Sequence, residues 1–489
     1  MKEKIHSVKY NFVMNFILTA SQFIFPLITF PYISRVLQAS GNGKVSLAYS
    51  VANYFMIVAS LGIPTYGVRA CASVRNDKEK LTKTVHEIFI INCIATVIVA
   101  ATYILCVCCI QRFHNDKILF YINGIQILLN VIGMNWLFQA LEQYDYITFR
   151  SIFFKIVSVI LMFIFVKNKD DCIEYTAILV FAAAGSNVLN FIRARKIIKF
   201  RYIGNYEFRI HLKPILILFA QSMAVSIYTN LDTVMLGFIK TDKDVGYYNA
   251  AVKIKTVLLS LVTSLGNVLL PRMSYYAQNG LRDNFLNMMT KALNFTLLIS
   301  IPLSTYFVVY SKEAMLFIAG DEYIKAVTAM QIITLAIIPN GLTGVLGVQI
   351  LTALGKEKYV LYSVITGAIS DFLLNLIFIS RYGAAGAAFA TTVAEFLVLA
   401  VQICYTRDIL KKVSQRFHIG IYILATIVGV ACSLMVRFFD IKSYFGTLVI
   451  SSGIFFVMYA FVPIISRESL FAEMLGGIKR KTGKEEKYD

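Results

Sequence analysis

Stretches of about 20 mostly apolar residues, the length that crosses a bilayer as a helix, recur along almost the whole chain. They fall near 10–33, 45–67, 85–110, 118–139, 149–167, 173–194, 214–239, 246–270, 285–310, 325–350, 359–380, 384–405, 418–437 and 443–465. Lipid offers no partner for backbone N–H and C=O groups, so each such stretch has to be a helix. Fourteen spans follow, and the fold class expected is an all-α integral membrane protein. Composition agrees: 58% of residues are hydrophobic and 15% charged, with a mean hydropathy of +0.68, whereas soluble domains carry roughly 25% charged residues. With 37 Phe and 28 Tyr but one Trp, the aromatic content decides little about the interfaces.

A net charge of +19 raises the possibility of a nucleic-acid partner. The basic residues, however, lie in short segments between apolar spans and not along one soluble face, so membrane topology is the better explanation and no nucleic acid is expected. With the N-terminus inside, alternate segments hold 32 of the 47 Lys and Arg, the opposite loops hold 13, and Lys253 and Lys255 lie within a span. The positive-inside rule then puts both termini in the cytoplasm and favours an even number of spans. Met1 to Tyr10 is basic and runs into the first apolar stretch without a small-residue cleavage site, as a retained first helix does. Cys93, Cys106, Cys108 and Cys109 share one span and lack zinc or redox spacing; they are expected to be small buried hydrophobes.

The charge pattern divides the chain. Six spans (1–195) precede a basic inter-lobe loop (196–213), six more follow (214–405), then two additional spans (406–466) and a basic tail (467–489). An offset of 200 residues lays GKVSLAYSVANYF (43–55) over KDVGYYNAAVKIK (243–255) with apolar and small positions largely in phase. Two six-helix lobes of like orientation are the parallel-repeat design of many transporters.

ITFPYISRVLQASGNGKVSLAYSVANYFMIVASLGIPTYGVRACASVRNDKEKL (28–81) resembles the opening of the Wzx-type polysaccharide flippases of the multidrug/oligosaccharidyl-lipid/polysaccharide exporter superfamily. The likeness continues in VGYYNAAVKIK (245–255), LPRMS (270–274) and ILTALGKEKYVLYSVITGAISDFLLNLIFISRYGAAGAAFATTVAE (350–395). The resemblance implies two pseudo-symmetric bundles around a central cavity that opens alternately to each side. It also implies a substrate, an undecaprenyl-diphosphate-linked repeat unit moved from the inner to the outer leaflet of the bacterial cytoplasmic membrane for O-antigen, capsule or exopolysaccharide. Membrane lipids and polysaccharide polymerase are the partners it suggests.

Ionisable residues inside spans are costly and mark functional positions. Lys253 and Lys255 lie about 10–13 Å below the end of span eight, where they can neutralise a diphosphate or pair with carboxylates between helices. Arg35, Arg69 and Arg272 close spans one, two and eight; the first two are candidate substrate contacts, and all three can simply snorkel to the interface. Asp232, Asp371, Asn375 and Thr391 reach like depths, about 7–14 Å from the ends of their spans. Asp371 and Asn375 share a helix face. These four oxygen donors make a candidate Na⁺ site, with scattered helix–helix hydrogen bonds as the structural alternative. Relatives in the superfamily couple transport to Na⁺ or H⁺, and Glu395, one turn beyond Thr391, is the alternative proton carrier. No histidine sits mid-span. No other cofactor is implied and no enzymatic activity is expected. A drug exporter of the same superfamily would need acidic cavity residues where this chain offers cations. A polymerase or glycosyltransferase would need a larger extramembrane loop than 193–213, which holds one carboxylate, Glu207. No nucleotide-binding loop is present.

Overall fold

The structure, a computed structural model, describes residues 8–199, 201–264, 266–413, 417–439, 441–466, 468 and 471. Apart from 468 and 471, the tail expected at 467–489 lies outside the described residues, as do the first seven residues. Among the described residues there are helices and no strands. They group into two compact units, Met1–Gly246 and Tyr247–Asp489.

The first unit contains α1 (Val8–Ser60), α2 (Ile63–Val74), α3 (Lys78–Cys109), α4 (Lys117–Gly133), α5 (Asn135–Ala140), α6 (Tyr144–Phe165), α7 (Cys172–Val180), α8 (Ser186–Ile197) and α9 (Phe208–Ile239). The long α1 is two helices in one: Gln38 (φ 60°) breaks it, and the Asn42 side chain donates to the Gln38 carbonyl at 3.1 Å beside the break. Leu61 and Gly62, both at positive φ, separate α1 from α2. A Cβ on Gly62 would lie 2.6 Å from the backbone nitrogen of Phe219, so only glycine lets α9 come this close. The single tryptophan, Trp136 on α5, lies flat against Gly67 of α2 by the same device. Asp77 starts α3 by accepting from the N–H groups of Glu79 and Lys80 at 3.1 Å each. These N–H groups, Lys80's foremost, hold its carboxyl below the usual carboxylate range. Ile63, Val85, Ile88, Leu137, Phe138 and Ile215 form the core at one end of the unit, and Ile33, Leu37, Val45, Met162 and Val166 the core at the other.

The boundary between units starts the second one within α10 (Asp242–Thr263). There follow α11 (Gly266–Gln278), α12 (Arg282–Val309), α13 (Ser311–Ala319), α14 (Ala326–Leu335), α15 (Ile337–Thr343), α16 (Glu357–Tyr382), α17 (Ala384–Val413), α18 (Ile419–Leu434) and α19 (Tyr444–Ile465). The two helices expected at 406–466 are α18 and α19. They pack on α12 through buried tyrosines: Tyr459 donates to the Leu298 carbonyl at 2.7 Å, Tyr306 to the Leu448 carbonyl at 3.0 Å, and Tyr310 to the Ser433 carbonyl at 2.7 Å.

Ten helices among the described residues are long and apolar enough to cross a membrane. Two of the runs, Val13–Val74 with 62 residues and Glu357–Val413 with 57, are about twice the length one crossing needs. Each is broken near its middle, at Gln38 and at Gly383. The spans expected at 214–239 and 246–270 are occupied by α9, by α10 and by the start of α11, with residue 265 outside the described residues, and are not among the ten. Large apolar side chains such as Val97, Phe149, Phe163 and Leu373 face outward. On a soluble protein they would be a liability, and here they are the lipid-facing surface. The chain is a multi-pass membrane protein.

α9 differs from its sequence placement in a second lobe: it packs on α1, α2 and α3. Charge and internal similarity place the division at the basic loop, whereas packing places it at residue 246, because Gly62 and Gly237 admit Phe219 and Leu47 against their backbones.

Candidate functional site

The α16–α17 hairpin gathers most of the sequence-predicted acidic and polar residues. Gly383 (φ 55°) makes the turn, and Gly386 has no room for a Cβ beside the Phe378 carbonyl. The two helices are then held in register by Phe378 on Phe389 (4.8 Å), by Gln402 Nε2 donating to Ser363 Oγ (3.1 Å), and by Tyr359 on Tyr405 (4.1 Å). Interpolation along these pairs sets Asp371 level with Glu395 and Asn375 level with Thr391. All four are buried, Asp371 at 1% exposure and Asn375 at 0%. Asn375 Nδ2 donates to Asp371 Oδ2 at 3.1 Å. The Thr391 hydroxyl donates to the Ala387 carbonyl (2.9 Å), so at its 3.0 Å contact with Tyr248 of α10 it accepts the tyrosine's proton. Carboxylates buried at one depth inside an apolar bundle persist only when compensated, because an uncompensated buried charge costs several kcal/mol.

Asp232, the fourth member of the expected ion site, is buried on α9 and belongs to the first unit. Lys253 and Lys255 are half-buried in α10. Arg35 on α1, Arg69 on α2 and Arg272 on α11 are exposed; the Arg35 guanidinium reaches the Pro31 carbonyl of its own helix at 3.5 Å.

Two polar clusters of the first unit were not singled out from the sequence. In one, buried Glu87 of α3 accepts from His211 Nε2 (2.8 Å) and from the backbone N–H of Glu207 (2.6 Å), while His211 Nδ1 meets the Tyr66 hydroxyl at 2.6 Å. In the other, Arg150 of α6 is buried beside Asn135, Tyr146 and Asn190. The signal existed in both cases: Glu87 and Arg150 are each charges just inside an apolar window, a place where interfacial snorkelling is the default expectation.

A helical membrane bundle with buried carboxylates and mid-helix lysines, and no soluble domain among its described residues, is the build of a membrane transporter. The chain belongs to the polysaccharide biosynthesis protein family, whose model matches residues 8–277, more than half of it; the MatE model matches residues 218–377. It is similar to proteins named as candidate O-antigen transporters from Escherichia coli (strain K12), 23% identical over 82% of this chain and 97% of that protein, and from Shigella dysenteriae, 24% identical over 80% and 98%. Among solved structures, the lipid II flippase MurJ in an inward closed conformation aligns with a TM-score of 0.73 at 15% identity, covering 94% of this chain and 99% of that one. A multidrug resistance MATE family transporter of the MOP superfamily, in an inward-facing conformation, aligns at 0.59 and 11% identity over 80% and 99%. These structures show the fold, which the chain shares with MurJ and with that MATE transporter.

Proposed function

We propose that the chain is a flippase for lipid-linked glycans. It moves an undecaprenyl-diphosphate-linked oligosaccharide from the inner to the outer leaflet of the bacterial cytoplasmic membrane by alternating access, with fourteen crossings and both termini cytoplasmic. The observation that carries this reading is similarity along about four-fifths of the chain to relatives named for O-antigen transport, on the fold of a lipid II flippase. Lys253 and Lys255, part-way along α10, supply positive charge for the diphosphate, with Arg35 and Arg69 as further candidate contacts. The decisive experiment is complementation: a strain deleted for this gene loses surface polysaccharide, the wild-type chain restores it, and the Lys253→Ala/Lys255→Ala double variant is present in the membrane yet exports none. Normal export by that variant removes the cationic role of α10. Reporter fusions read the topology: one after Arg209 is cytoplasmic and one after Asp242 external, and the reverse overturns the span order.

Coupling is assigned to the hairpin of the second unit. Asp371, Asn375 and Thr391 offer hard oxygen donors of the kind Na⁺ takes, with Asp232 of α9 as the fourth expected donor, and Glu395 at the depth of Asp371 is the alternative proton carrier. Neutralising Asp371 or Glu395 removes any Na⁺ or pH dependence of transport, because an ion drives a conformational equilibrium only through different affinities for its two states. A cation-coupled drug antiporter is the second reading, favoured by the MatE match across 218–377. Ethidium efflux that depends on Asp371 in cells lacking the polysaccharide pathway would select it.

A further inference from the structure

Arg150 is 7% exposed and makes one side-chain hydrogen bond, from Nη2 to Asn135 Oδ1 at 2.9 Å. That oxygen is already shared with Asn190 Nδ2 at 3.0 Å. The Arg150 Nε and Nη1 atoms have no hydrogen-bond partner among the described residues. A second guanidinium, Arg193 of α8, lies 4.0 Å from the Tyr146 ring centroid, and Arg150 lies 5.5 Å from the same centroid. Neither arginine forms an ion pair with a carboxylate among the described residues. One tyrosine ring is thus the shared electrostatic partner of two cations, and a ring quadrupole offsets only part of one desolvated charge. A buried guanidinium with open donors calls for an anion.

Geometry narrows the class of anion. Arg150 lies six residues into α6, Asn135 five from the end of α5 and Arg193 four from the end of α8, depths of about 6–9 Å at 1.5 Å per residue. The headgroup layer of a bilayer is itself about 5–7 Å thick on each side of the hydrocarbon, so donors within two turns of their helix ends are within reach of leaflet phosphates. A planar guanidinium fork matches phosphate oxygens two at a time. We propose that Arg150 and Arg193, with Asn135 and Tyr146, form a phosphate-binding site between α5, α6 and α8 of the first unit. The ligand is a phosphate or diphosphate ester, carried by a leaflet lipid or free in solution. The site does not depend on the transport reading and needs only the first unit as it is folded.

Trp136, the sole tryptophan of the chain, adjoins Asn135 and is buried, so its fluorescence reports on the site directly. The full chain in phosphatidylcholine nanodiscs is titrated with sodium pyrophosphate and, separately, with phosphatidylglycerol, against sodium chloride at equal ionic strength. The expected result is a saturable change, with a midpoint raised about tenfold or more in Arg150→Met and Arg193→Gln, as loss of a charge-assisted hydrogen bond gives. A response to phosphatidylglycerol alone identifies a leaflet lipid, one to pyrophosphate alone a soluble anion, and one to both the shared phosphate group. Should Arg150→Met fail to fold, the half-buried Arg193→Gln carries the test. No saturable response to either probe, an equal response to sodium chloride, or wild-type titration by Arg193→Gln overturns the proposal.

Discussion

The two ends of α9 are held to the rest of the first unit by different physics. At the Ile239 end, backbone meets backbone. No side chain fits at Gly43 beside the Asp242 carbonyl, or at Gly246 beside the Ala39 carbonyl, and the two contacts are reciprocal. Arg112 braces this end by donating from Nε to the Gly237 carbonyl at 2.7 Å and by pairing with Asp242. At the Phe208 end, side chains do the holding: Glu87 of α3 gathers His211 and the Glu207 N–H, and Tyr66 of α2 closes the chain on the far nitrogen of the imidazole. With a carboxylate accepting at Nε2, a neutral His211 accepts the Tyr66 proton at Nδ1, and a protonated one donates to the Tyr66 oxygen. Glycine contacts have no side chain to rearrange, so that end separates only as a body. Hydrogen bonds are individually modest and exchangeable, so the other end loosens group by group. For a protein proposed to expose its substrate to alternate sides of a membrane, one end of α9 is closed by shape and the other by polarity.

The comparison breaks most visibly at the glycines. Gly43→Val puts a branched Cβ where the Asp242 carbonyl stands, and the cost exceeds the roughly 1–3 kcal/mol of ordinary core overpacking because backbone has to move. The expected outcome is a chain that reaches the membrane with a markedly lower melting temperature and no polysaccharide export. Wild-type export and stability in Gly43→Val would mean that the backbones at this end are not held so closely.

Next in size is Glu87→Ala, which strands buried His211 and the Glu207 N–H; losing one partner of such a network costs about 2–4 kcal/mol. In a double-mutant cycle with His211→Ala, a coupling of about 1–3 kcal/mol is expected, read from denaturation in detergent. Additive effects would show that the two side chains touch without supporting each other, and the Phe208 end would then be held by apolar packing around Ile63 and Ile215.

Why the sequence revealed one part of this and not the other is a matter of range. Spans were legible because each carries its signal in about 20 consecutive residues, and the α16–α17 hairpin because Asp371 and Asn375 are one turn apart and Gly383 marks the reversal. Thr391 and Glu395 came with it, since a hairpin preserves depth. Glu87 and His211 stand 124 residues apart, one in an apolar window and the other in the basic loop, and nothing local in either names the other. Arg150 opens its window as any interfacial arginine does; only the fold shows it buried beside Asn135. The glycines carry no such local signal, because a close approach is a property of two segments and not of one. α9 followed the repeat pattern into a second lobe, whereas its contacts with α1, α2 and α3 depend on Gly62 and Gly237.

Arg112→Ala probes the Ile239 end without touching its backbone contacts. It removes one hydrogen bond to the Gly237 carbonyl and one ion pair to Asp242, both half-buried, and is expected to cost about 1–2 kcal/mol. If shape closes this end, export survives with a lowered melting temperature, and the loss remains well short of that in Gly43→Val. Arg112→Ala as damaging as Gly43→Val would make this end polar after all and erase the contrast.

The smallest effect is expected at Lys83, whose Nζ lies 3.0 Å from Glu207 Oε1 and 3.9 Å from Glu87 Oε1. Its main partner Glu207 is 64% exposed at the side chain, so water and salt screen the pair, and exposed ion pairs are worth about 0–1 kcal/mol. The distance to Glu87 is too long for a hydrogen bond, and Glu87 already has two donors at closer range. Lys83→Ala should therefore shift stability by less than about 0.5 kcal/mol, with the remaining difference from wild type vanishing as salt is raised through about 0.5 M. A loss above about 1 kcal/mol that persists in high salt would mean that Glu87 leans on the Lys83 charge more than on His211. The Phe208 end would then be an ion pair in its own right, and the Glu87→Ala and His211→Ala cycle would be measuring the wrong partner.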